Sequence, residues 1–202
     1  MSVLAPPAPA SGQPFPAGTP PRLWTVEEFD QLGEDGWFDG RRAFLLDGVI
    51  LEQGPMNAPH ADGISLTNEA LRAAFGPGWT VRIQLPFHIG GLTNPMPDLA
   101  VVPGAARDNL GRHSTTAALV VEVADATLDT DVTAKAERYA TAGVADYWVL
   151  DVVGRQLIVF RNPTPIPDGG AAYRDKTTLG PADTVAPLAA PNSSIAVGDL
   201  LP

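Results

Sequence analysis

The stretch that decides the fold runs from Pro97 to Asp151: PDLAVVPGAARDNLGRHSTTAALVVEVADATLDTDVTAKAERYATAGVADYWVLD. Three apolar runs, LAVV, ALVVEV and DYWVLD, have the length and composition of strands. An amphipathic segment between the last two reads as a helix over 131–142, with Asp131 as its cap and Gly143 as its stop. At about 100° per residue, Val132, Ala136, Tyr139 and Ala140 share one stripe. Lys135 lies on the edge of that stripe and leans towards the sheet, while Ala134, Glu137, Arg138 and Thr141 face away. Glu122 interrupts a run that should be a buried central strand. A carboxylate there is costly unless something positive compensates it, and Lys135 or a divalent cation would do so. Asp98 opens the first of the three strands.

Working outward, the elements before this stretch are marked by local chemistry. Thr25 with Glu28 three residues later is a capping pattern for a short helix ending near Leu32. Asp47-Gly48 between two apolar runs predicts a hairpin, with strands at 42–46 and 49–53. A helix is expected from His60 to Phe75, stopped by Gly76-Pro77-Gly78, and a strand over 80–89 broken at Pro86. After the stretch, strands are expected at 156–161, with short edge strands at 173–179 and 195–197. The order is α/β or α+β with a mixed sheet flanked by helices and an N-terminal hairpin extension.

Bulk composition sets limits. The chain has 202 residues, 45% of them hydrophobic, enough for one domain and some tail. Residues 1–21, rich in Pro and Ala, read as a disordered lead-in, and 22–202 as the folded domain. The net charge of −10 is the wrong sign for a constitutive nucleic-acid coat protein, though not for an enzyme that meets nucleic acid through a local basic rim and a cation. There is no cysteine, which excludes disulfides, thiolate zinc sites and thiol nucleophiles. No apolar run approaches the roughly 18 residues that span a bilayer, and no secretory signal is visible, so a cytoplasmic protein is expected.

The constellation Asp98, Glu122 and Lys135 fits metal-dependent phosphodiester hydrolysis. Two carboxylates can hold Mg²⁺ or Mn²⁺ through oxygen with waters left in the shell, and a lysine can position or activate the attacking water. Here the sequence resembles the Uma2 family (DUF820) of restriction-endonuclease-like proteins, a branch of the PD-(D/E)xK nuclease superfamily. The resemblance rests on Pro97-Asp98, Val121-Glu122-Val123, Asp125, Asp131, Lys135, Tyr139, Ala142-Gly143-Val144 and Asp146 to Asp151, with Leu46-Asp47-Gly48, Glu52 and His60 upstream. It covers about residue 23 to the C-terminus.

The resemblance implies a restriction-endonuclease-like core, with Asp98 and Glu122 as metal ligands; the Val123 carbonyl is expected to join them. In the superfamily's usual pattern the lysine lies two residues after the acidic one. Here that position is Ala124, and Lys135 on the following helix takes its place. Glu52 and His60 are expected at the rim of the site. Asp131 is expected as cap and supporting partner, and Tyr139 as a packing neighbour of Lys135. Asp125 is a turn or supporting residue, Arg107, Arg112 and His113 belong to a polar loop, and His88 and Trp148 read as structural. Acids that many members carry near Pro-Asp and Asp-Gly are replaced by Asn94, Met96 and Val49, which favours one metal over two. The expected function is a Mg²⁺- or Mn²⁺-dependent endonuclease acting on nucleic acid, DNA before RNA, with a homodimer as the simplest way to cut two strands. The competing readings are a nuclease-fold binding or regulatory module without catalysis, and a metal-dependent hydrolase of smaller substrates.

Overall fold

A computed structural model describes residues 21–111, 113–167 and 169–202. Apart from Pro21, the expected N-terminal lead-in lies outside them, as does Arg112. The first helix, α1 (Val26–Glu34), starts at the Thr25–Glu28 capping box that the sequence signals. β1 (Ala43–Leu46) and β2 (Val49–Glu52) form the expected antiparallel hairpin. Its turn residues Asp47 and Gly48 have φ of 50° and 76°, the left-handed pair that a tight two-residue turn requires. A Cβ on Gly48 would lie 2.6 Å from Leu23 Cβ, so the turn packs against the incoming chain. Val26, Phe29, Ala43 and Leu45 form a small satellite core here.

α2 (Ala58–Phe75) begins two residues before its expected start, because Asn57 accepts a bond from the His60 N–H and Pro59 falls in the first turn. It is followed by β3 (Trp79–Ile83), β4 (Leu99–Pro103), a 3₁₀ turn (Ala106–Asn109) and β5 (Leu119–Ala124). The strand expected over 80–89 ends at Ile83: Gln84 turns to φ 49°, and Phe87 and Ile89 make only isolated bridges. After β5 the chain coils through α3 (Leu128–Thr130), a π-helical turn (Asp131–Lys135) and α4 (Ala136–Thr141). β6 (Asp146–Asp151), β7 (Gln156–Pro165), β8 (Ala171–Leu179) and the short pair β9 (Thr184–Val185) and β10 (Ile195–Ala196) complete the order, with a closing 3₁₀ turn (Val197–Leu200).

Six strands form one mixed sheet in the order β3-β4-β5-β6-β7-β8. Only β5 and β6 are parallel, joined by the helical crossover, and the other neighbours are antiparallel. Both central strands are buried along their whole length, as strands covered on two faces must be. The two-residue alternation sorts the side chains. Leu99, Val101, Val121, Val123 and Leu150 face α2 through Ile64, Leu71 and Phe75. Ala100, Val120, Ala124, Tyr147 and Val149 face the crossover through Ala136 and Tyr139. Each fully buried aliphatic side chain contributes about 1.5–3 kcal/mol. Gly63 lets α2 settle against β5, since a Cβ there would lie 3.0 Å from Val123 Cγ1. That contact fixes the N-terminus of α2, and with it His60, at the end of the sheet.

Candidate active site

β4 and β5 deliver the two carboxylates. Their register pairs Leu99 with Val121; carried one residue further, it sets Asp98 opposite Glu122. Glu122 shares its face of the sheet with Val120 and Ala124, the face that the crossover helix covers. Asp98 and Glu122 are 2% and 1% exposed.

Lys135 reaches Glu122 from the π turn, as its place on the helical stripe predicts. Its Nζ lies 3.1 Å from Glu122 Oε2 and 2.7 Å from Asp131 Oδ1. Tyr139 donates its hydroxyl to Glu122 Oε1 at 2.7 Å, so it orients the carboxylate besides packing beside it. Asp131 is not the helix cap that the sequence suggests. It sits inside the helical crossover, 1% exposed. Thr127 donates to its Oδ2 at 2.6 Å, and Tyr147 donates to its backbone carbonyl at 2.8 Å. The π turn is the physical reason: it takes one extra residue per turn and swings Asp131 inward with Lys135. Such turns recur at functional sites.

Asp98 is held from three directions. His60 Nε2 lies 3.1 Å from Oδ1, Gln84 donates to the same oxygen at 3.1 Å, and the Val123 N–H donates to Oδ2 at 2.9 Å. His60 is therefore a direct neighbour of an acidic residue, not only a rim residue. Gln84 was not singled out by its sequence, since nothing in TVRIQLP marks one amide as turning inward. Its left-handed φ, just past the end of β3 at Ile83, brings it there.

Glu52 stands at the mouth of the cleft that Glu122 and Lys135 line with Gln53 and Met96. Its side chain is half exposed and paired with Arg41 at 2.8 Å. A second cleft shares Gln53, Gly54 and Thr127 with the first and carries Arg42, His60 and Asp125. Arg42, another residue the sequence did not flag, has a buried guanidinium nitrogen with no hydrogen-bond partner among the described residues. Asp125 accepts from Asn57 and ties the end of β5 to the cap of α2. Asp146, by contrast, is structural: Trp148 Nε1, Arg161 and the Leu188 N–H all donate to it.

The electrostatics follow from this crowding. Burial pushes the Glu122 carboxyl up to about 7; Lys135 opposes the shift, and Asp98 and Asp131 add to it. Burial works against the Lys135 charge as well, but Glu122 and Asp131 outweigh it and hold the ammonium above its ordinary value. Burial alone would raise Asp98, yet His60, the Val123 N–H and Gln84 bring it below the usual carboxylate range. His60 is raised, chiefly by its bond to Asp98. Glu122 and Asp131 thus flank one ammonium ion, while Asp98 is partnered by His60. Asp98 and Glu122 offer hard oxygen donors of the kind Mg²⁺ and Mn²⁺ take.

A six-stranded mixed sheet flanked by helices, with two acids delivered by β4 and β5 and a lysine from the crossover after β5, defines a nuclease-like α+β fold. A solved structure shares it: the "putative nuclease belonging to DUF820" from Anabaena variabilis ATCC 29413, with 16% identity and a TM-score of 0.68 over 87% of this chain and 96% of that one. Residues 26–198 match the Uma2 family, described as "Putative restriction endonuclease", and the chain belongs to that family. No curated protein matches. Among the described residues, no helix is long and apolar enough to cross a membrane.

Proposed function

We propose that this protein is a Mg²⁺- or Mn²⁺-dependent endonuclease that hydrolyses phosphodiester bonds in nucleic acid, with DNA as the preferred substrate. The observation that carries this reading is the pair of buried carboxylates on neighbouring strands, Asp98 and Glu122, with the Lys135 ammonium 3.1 Å from Glu122. A divalent cation held by the two carboxylates would offset their charge, polarise a water and neutralise charge that builds on the phosphate.

Asp98 and Glu122 are the ligands, with the Val123 carbonyl as a third. In a strand the N–H and C=O of one residue point to the same neighbour, and the Val123 N–H already bonds to Asp98. Lys135 positions or activates the attacking water and steadies the scissile phosphate. His60 and Gln84 orient Asp98, Tyr139 orients Glu122, and Asp131 steers Lys135. Arg42 and His60, on the adjoining cleft, meet the nucleic-acid backbone and give an acidic protein a local basic rim. Two carboxylates support one ion, and a homodimer would supply the second cut.

The test is plasmid cleavage in Mg²⁺ and Mn²⁺. Asp98→Ala and Lys135→Ala each lower the rate by at least about 100-fold. Cleavage that persists unchanged in both variants overturns the assignment. A second reading, a nuclease-fold binding module without catalysis, is favoured by the net charge of −10 and by the internal partners already held by Asp98 and Glu122. Mn²⁺ titration calorimetry separates the two, since the module needs no ion.

A further inference from the structure

A second cluster of ligand-type side chains lies on a different part of the fold. Asp30 comes from α1, His88 from the segment between β3 and β4, and His113 from the loop before β5. One donor atom from each falls within 4.8 Å of the others. Among the described residues no other trio of His, Asp or Glu side chains meets that condition. The chain has three histidines in all, and two of them meet here.

The cluster is held in place by its surroundings. The His88 N–H donates to the Ser114 carbonyl at 2.9 Å, and Phe87 bridges to Ser114, so the two histidine-bearing segments run side by side. The imidazole rings are 4.7 Å apart. Asn94 donates to Asp30 Oδ1 at 3.2 Å, which leaves Oδ2 to face His88 Nε2 at 3.5 Å. That His88 nitrogen is closed off from solvent and has no hydrogen-bond partner among the described residues. An enclosed nitrogen without a bond is a defect in an ordinary surface cluster, and a metal ion would relieve it.

We propose that Asp30, His88 and His113 form a binding site for Zn²⁺ or a similar transition-metal ion, separate from the Asp98–Glu122 cleft. Two imidazoles and one carboxylate are a zinc-type donor set, unlike the oxygen-only set of the cleft. Donors about 2.0–2.1 Å from a tetrahedral ion stand roughly 3.3 Å apart. The Asp30–His88 spacing of 3.5 Å is already close to that, and His113, on an exposed loop, closes the rest by a side-chain rotation. The fourth position is open to water. Glu27, one helical turn before Asp30, places further negative charge beside His88. Bound there, the ion fastens α1 to the loops beside the sheet.

The experiment uses the full chain, stripped of metal and held in excess Mg²⁺, which satisfies oxygen-only ligands without competing for imidazole. Zn²⁺ is added while calorimetry and ¹H–¹⁵N imidazole spectra are recorded. One equivalent should shift the His88 and His113 signals, and His113→Asn should weaken that binding at least tenfold. His113 sits on an exposed loop, so its replacement keeps the fold. His88 and His113 signals that stay still at one equivalent, or a His113→Asn chain with unchanged affinity, overturn the proposal. Zinc that moves only His60 overturns it as well, since that ion has gone to the cleft.

Discussion

Lys135→Met removes one charge and keeps most of the side chain's volume. The ammonium lies 2.7 Å from Asp131 and 3.1 Å from Glu122, and both acids are 1% exposed. Breaking a buried pair by removing one partner costs about 3–5 kcal/mol, because the other charge is left uncompensated. For a domain of this size 1 kcal/mol moves Tm by about 2–4 °C, so the variant should melt roughly 6–20 °C lower at pH 8 in the absence of metal. The pH dependence identifies the cause. Glu122 already has a folded-state pKa raised by burial from 4.5 to about 7. A carboxyl raised on folding loses stability as pH rises from its unfolded towards its folded value. Lys135 is the group that opposes this shift, so removing it raises Glu122 further and widens the window. The loss should be up to about 1.4 kcal/mol smaller at pH 5, where the Glu122 carboxyl is neutral and only Asp131 loses its partner, than at pH 8. Thermal unfolding followed by circular dichroism at both values measures it. A loss that is equal at the two pH values would show that Glu122 is not the group stranded by the substitution.

Tyr139→Phe deletes the donor to Glu122 Oε1 in a buried setting; it should cost about 1–3 kcal/mol in urea unfolding and slow cleavage less than Asp98→Ala does. His60 has its pKa raised, first by its bond to Asp98, so an NMR titration of the metal-free protein should place its midpoint above the ordinary 6.5. The stability that pair contributes is fully present below 6.5 and fades as pH rises through the folded value, a slope that should vanish in His60→Ala. Asp146→Ala leaves Arg161, the Trp148 indole N–H and the Leu188 N–H without their acceptor; it should destabilise by about 3–5 kcal/mol in the same unfolding assay.

The parts of the site that were legible in the sequence are those set by local periodicity. Glu122 stands out because it breaks an apolar run, and Lys135 because its angle on the helix points it at the sheet. Asp47-Gly48 and Thr25–Glu28 were legible because turns and caps are written in neighbouring residues. The parts that were not legible depend on distant elements meeting. Gln84 converges on Asp98 from 14 residues away, and the direct His60–Asp98 contact spans 38, although the resemblance already sets His60 at the rim of the site. Asp131 reads as a cap because Asp is a good cap, but a π turn, anchored by the Tyr147 hydroxyl, moves it inside. The pairing of His88 with Asp30 and His113 depends on three segments that share no local pattern.

Ala124 shows why the lysine sits where it does. It points to the same face as Glu122, fully buried in the cluster that also holds Ala136 and Tyr139 from α4. A long side chain at 124 would fill the space into which the crossover helix packs. A small one lets that helix lie close to β5, near enough for Lys135 to reach Glu122 at 3.1 Å and for Tyr139 to donate at 2.7 Å. An alanine on the strand and a lysine on the helix are therefore compatible in one packed cluster. The empty position two residues after the acid is thus part of how the cluster is assembled.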